Sequence, residues 1–125
     1  MVTFIAREQW PEYCARFTGQ YVGGLVTVVA HLPDKKEEVL ARTWRLIKLT
    51  AEVPGRGEGV ITMILRDARQ AIQTLTIRGV QRLAFVQDEA GADLGLDLYG
   101  DTQTTTLRFR VPVLTETIDG LLQAD

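Results

Sequence analysis

Two hydrophobic periods divide the chain. Near its start, Trp10, Tyr13, Cys14 and Phe17 recur at i, i+3, i+4 and i+7, which places all four on one face of a helix. Pro11 lacks an N–H and belongs in a first turn, so the spacing predicts a helix that starts near Glu8 and stops at Gly19. From residue 21 onward the period falls to two. "YVGGLVTVVAHL" predicts a strand with a bend or bulge at Gly23–Gly24, and "PDKKEE" predicts a polar turn. "VLARTWRLIKLTAEV" predicts one long bent strand or two short ones. "GVITMILRD" is apolar on both faces and predicts a central strand covered on both sides. "AIQTLTIRG" and "VQRLAFVQDEAG" predict two further strands, each ended by turn residues.

The clearest alternation lies in "DLGLDLYGDTQTTTLRFRV". Leu94, Leu96 and Leu98 alternate with Asp93, Gly95, Asp97 and Tyr99; Leu107, Phe109 and Val111 alternate with Thr106, Arg108 and Arg110. A two-residue turn near Gly100–Thr102 pairs the two strands and puts both apolar sets on one side. Asp93, Asp97, Arg108 and Arg110 then face water as cross-strand partners. At the end of the chain, Leu114, Ile118, Leu121 and Leu122 stand at helical spacing with Pro112 near the first turn, which predicts a short helix.

Strands joined by short turns, with no helices between them, pair antiparallel. The expected fold is therefore one α+β domain over residues 1–125. It has an N-terminal helix, a strongly curved meander of about seven or eight strands, either open or partly closed into a barrel, and a short C-terminal helix. A chain of 125 residues, 46% of them hydrophobic, can bury a core without staples.

Composition narrows the classes. Fourteen basic residues against 16 acidic ones leave a net charge of −2, which gives no long-range pull on nucleic acid or anionic lipid. Arg7 and Glu8 interrupt the stretch where a signal peptide needs an apolar core. The longest nearly apolar run, "LVTVVAHL", is too short to cross a bilayer as a helix. Cys14 is the only cysteine, so no internal disulfide forms and a reducing compartment fits. A soluble, cytoplasmic protein is expected, with no nucleic-acid or membrane partner.

Candidate chemistry is sparse. Gly55, Arg56, Gly57 and Gly59 could cradle an anion, yet they lead into a strand rather than into the helix N-terminus that phosphate loops use. A strand connection is the simpler reading. His31 stands alone at a strand end before a Pro-Asp turn. Cys14 shares a face with three aromatics and reads as core. Asp88, Glu89, Asp93, Asp97 and Asp101 lack the spacing of a calcium loop and read as a solvated sheet face. Trp44, between Arg42 and Arg45, reads as packing under a helix or in a subunit interface. No catalytic, cofactor-binding or metal-binding set emerges.

The early "W…Y…F…Y-x-G" helix, "LVTV", "RGEGVITMILRD" and the late "LGLDLYGDTQTTTLRF" resemble a family of small bacterial proteins classed only as a domain of unknown function. The resemblance spans nearly the whole chain and implies a bacterial single-domain protein. It supplies no catalytic residues. The leading expectation is a non-enzymatic interaction or assembly module that forms homo-oligomers, because an open meander has edges to cover. An alternative is a carrier enclosing a small apolar ligand in its curled sheet. A third is an anion- or nucleotide-binding enzyme built on Arg56 and its glycines, with Arg66, Asp67 or Tyr99.

Overall fold

The computed structural model of the protein describes the backbone of residues 1–55 and 57–113. Strand β1 (Val2–Ile5) leads through a 3-10 turn (Arg7–Gln9) into helix α1 (Trp10–Tyr21). Six strands follow: β2 (Leu25–His31), β3 (Glu37–Glu52), β4 (Gly59–Arg66), β5 (Ile72–Gln87), β6 (Asp93–Gly100) and β7 (Thr104–Val113). Each pairs antiparallel with the next, and β7 pairs back onto β2. The meander thus closes into a ring, and β1 adds to it alongside β5. Closure removes the edges that an open sheet exposes.

The interior is filled by side chains. Leu46, Leu49, Ile61, Met63, Leu83 and Leu107 are among its fully buried members. In β4, buried Gly59, Ile61, Met63 and Leu65 alternate with half-buried Val60, Thr62, Ile64 and Arg66. The strand expected to be covered on both sides is therefore fully covered on one and half-open on the other.

Helix α1 packs across β3 with Trp10, Cys14, Phe17 and Tyr21 buried. Two local fits seat it. A Cβ at Gly59 would stand 2.5 Å from the Trp10 ring, so the bare backbone there admits the indole. The Thr18 hydroxyl accepts from the Leu49 N–H at 2.8 Å, with the carbonyls of Cys14 and Leu49 within its own donating reach. It thereby serves a β3 backbone group beside the bulge between Leu46 and Lys48.

The structure corrects several sequence expectations. The helix runs past Gly19 to Tyr21, and the chain reverses at Gly23–Gly24, where Gly23 donates to the Leu46 carbonyl and Leu46 to that of Gly24. The glycine pair thus ends the helix instead of bending a strand. The segments on either side of Gly79 form one 16-residue strand, because the glycine sits at a bulge rather than a turn. Its first half pairs with β4, leaving the edge of its second half to β1, which sequence periodicity did not predict. Three residues, not two, separate β6 from β7. Pro112 and Val113 continue β7 in extended form; the remainder of the helix expected over 112–123 lies outside the described residues.

Asp93 and Asp97, expected on a solvated face, are both buried. Asp97 accepts from Arg108 Nη2 at 2.7 Å and from the Tyr99 hydroxyl at 3.1 Å. Arg108 Nη1 also donates to the Leu96 carbonyl at 3.0 Å. The cross-strand partnership was foreseen; the shielding of its carboxylate comes from Arg108 lying across the strand. Asp97→Asn is expected to lower stability by roughly 1–3 kcal/mol, the cost of losing a charge-assisted bond. Leu96→Ala, in the filled interior, is expected to cost roughly 2–5 kcal/mol. Urea unfolding of both variants checks this, and an unchanged midpoint for Asp97→Asn would contradict the shielded pair.

Candidate functional site: an aromatic cleft at the barrel mouth

Where α1 crosses the ends of β5 and β6, a cleft of about 310 Å³ opens, at the small end of the range for ligand sites. Helical spacing delivers Tyr13, Arg16, Phe17, Gln20 and Tyr21 from α1 to its wall. Strand alternation delivers Phe85 and Gln87 from β5. Asp93, the first residue of β6, completes the lining.

Asp93 lies inside because β6 is bulged. Against β5, Val86 pairs with Gly95 but Gln87 with Asp93, so β6 carries an extra residue at Leu94, which breaks the alternation that would send Asp93 outward. Gly95 has φ 148°, and a Cβ there would collide with the Leu107 carbonyl; only glycine fits this close approach. Asp93 is 2% exposed. Its Oδ2 accepts from the Tyr21 hydroxyl and its Oδ1 from Gln87 Nε2 at 2.9 Å. Gln87 Nε2 also reaches the Gly91 carbonyl at 3.3 Å, which anchors it.

The rings meet at angles. Tyr13 lies 6.2 Å from Phe17 at 37° and 6.5 Å from Phe85 at 62°, and Phe17 lies 4.6 Å from Tyr21 at 52°. Phe109 extends the cluster behind them, stacked on Phe17 at 5.9 Å. Such tilted pairs avoid face-to-face repulsion of the π clouds.

Electrostatics keep the site's weak acids neutral. Burial first, then the Asp93 hydrogen bond and charge, raise the Tyr21 phenol above its ordinary range. Tyr13 is raised by burial and then by Cys14 and Asp93. Burial pushes the Cys14 thiol up to about 12, as befits a core cysteine.

The residues singled out from sequence fall elsewhere. Gly55 and Gly57 occupy the β3–β4 connection, Arg56 lies outside the described residues, and Gly59 opens β4 under Trp10. Trp44 is half-buried against the core from β3. His31 ends β2, with Nε2 3.1 Å from the Thr106 hydroxyl. Asp88 caps its own turn by accepting from the Ala90 and Ala92 N–H groups. Sequence reasoning missed Arg16, Gln20, Tyr21, Phe85, Gln87 and Asp93 as a group. Tyr21 was findable, because it continues the stripe four residues after Phe17. The glycine at 95 inside a strand pattern was the available sign of a bulge.

Two outcomes follow. Unfolded tyrosines ionise near pH 10, while folded Tyr13 and Tyr21 are raised above that. Their contribution to stability is therefore complete below pH 10 and declines as pH climbs above it. Thermal melts across this range should show the decline, and Tyr21→Phe should flatten it. Cys14 should resist thiol reagents in the native protein and react on unfolding; rapid native labelling would contradict its burial.

Comparison of the chain with protein-family models, with curated proteins and with solved structures returns no match.

Proposed function

We propose that the protein is a non-catalytic binding module that holds a small molecule in the cleft at the mouth of its barrel. One observation carries this reading: a cavity walled by four aromatic side chains and lined by a buried carboxylate, at the end of an otherwise filled barrel. Ligand sites combine apolar walls with a few placed polar groups in this way. A filled interior moves the carrier role expected from sequence out of the sheet and into its mouth. The shifted acids favour binding over catalysis. Burial raises the pKa of Tyr13, Cys14 and Tyr21 and holds all three protonated, whereas proton-transfer groups work best with a pKa near the operating pH. No helix among the described residues is long and apolar enough to cross a membrane. The lone buried cysteine accords with a cytoplasmic setting.

A protein-observed NMR screen of small aromatic and polar fragments tests the reading. Hits should move the amides of 13–21, 85–87 and 93 together, and Phe85→Ala should weaken them. A screen at millimolar concentration that leaves those amides unmoved would refute it.

A second reading, self-assembly, rests on β1. Among the described residues this strand pairs on one side only, and Val2 and Phe4 are 46% and 47% exposed. Strand edges of this kind add a second copy by backbone pairing. Native mass spectrometry at micromolar concentration should show dimer, and Phe4→Lys should shift it to monomer. Monomer alone in the unaltered protein would exclude this reading.

A further inference from the structure

We propose that the ligand of this cleft is an organic ammonium ion, its cationic head set between the aromatic rings and Asp93. The inference rests on the cleft being a binding site and names the chemistry it selects.

The first support is an unbalanced charge. Asp93 is almost completely buried, yet both of its described side-chain donors, Tyr21 and Gln87, are neutral. Among the described residues it forms no ion pair, in contrast to Asp97 on the same strand, which has Arg108. Of the residues outside the described set, those after Val113 include Glu116, Asp119 and Asp125 but no Lys, Arg or His, and the one base, Arg56, belongs to the β3–β4 connection. A buried carboxylate without a counter-charge is unfavourable. A cation arriving through the cleft has somewhere to bind and a charge to offset.

The second support is the walls. Tyr13, Phe17, Tyr21 and Phe85 meet at inclined angles and line one cavity. Ring faces carry negative potential and attract alkylammonium groups, and a caged, desolvated cation gains most. Phe17 and Tyr21 are buried themselves, so the rings are held in place before a ligand arrives, which lowers the ordering cost of binding. Among the described residues Arg16 is the one basic residue lining the cleft, and it is exposed, where solvent and salt screen its repulsion.

Choline and its neutral isostere, in which carbon replaces the quaternary nitrogen, provide the test. Both are titrated into the full chain by calorimetry and NMR. Choline should move the cleft amides and bind about tenfold or more tightly than the isostere, as expected for a cation held by rings and a carboxylate. Asp93→Asn should abolish that preference. Phe85→Leu, which keeps the wall apolar but removes a ring face, should weaken choline more than the isostere. Equal binding of the two probes to the unaltered protein would overturn the charge assignment while leaving the cleft as a binding site. Choline moving no cleft amide, while neutral fragments do, would overturn it in the same way. A cleft that takes neither probe nor any fragment would overturn the binding reading as well.

Discussion

The docking of one aromatic helix across the end of a closed sheet organises this molecule. A ring of strands can fill its own middle with leucine, isoleucine and methionine, but its end needs a lid. Helix α1 supplies Trp10, Cys14, Phe17 and Tyr21 for that purpose. The fit depends on places where the sheet gives way: the bare backbone of Gly59 beneath Trp10, and the bulged β3 backbone that Thr18 engages. Because the helix is pinned near both ends, its last turn brings Tyr21 to Asp93. The cleft is the space left beside that closure.

Strand β6 shows how two identical side chains acquire different roles. Asp97 keeps the alternation of the hairpin and meets Arg108 on the outer side, so its charge is balanced within the fold. Asp93, four residues earlier, lies beyond the bulge at Leu94 and is turned toward the helix. Its charge is met by neutral donors alone among the described residues. The first aspartate stabilises a sheet face. The second leaves a local field that acts on Tyr13 and Tyr21 and gives the cleft its sign.

Much of the architecture was legible in the residues themselves. The stripe of Trp10, Cys14 and Phe17 announced a buried helical face. The period-two run from Leu94 to Val111 announced a hairpin whose leucines pair as Leu96 with Leu107. These signals are local: side-chain direction follows from backbone geometry within a few residues. The absence of helical segments between strands also dictated antiparallel pairing. The end of the helix was misread because Gly19 is a permissive residue that a docked helix can carry, and burial of Tyr21 outweighs the propensity cost. Strand β1 escaped because four residues carry too little periodicity to stand out.

Thus the sequence by itself determined most of the elements, their antiparallel order and much of the buried set, since hydrophobic spacing encodes which face each segment hides. It did not determine that β7 returns to β2, that β5 runs unbroken through Gly79, or that β1 finds the remaining edge of β5. Those depend on pairings between residues distant in the chain, which no local period records. The cleft belongs wholly to this second class. Asp93 carries a solvent-facing pattern in the sequence; only the bulge at Leu94 and the arrival of Tyr21 from 72 residues away turn it into a buried charge beside four rings.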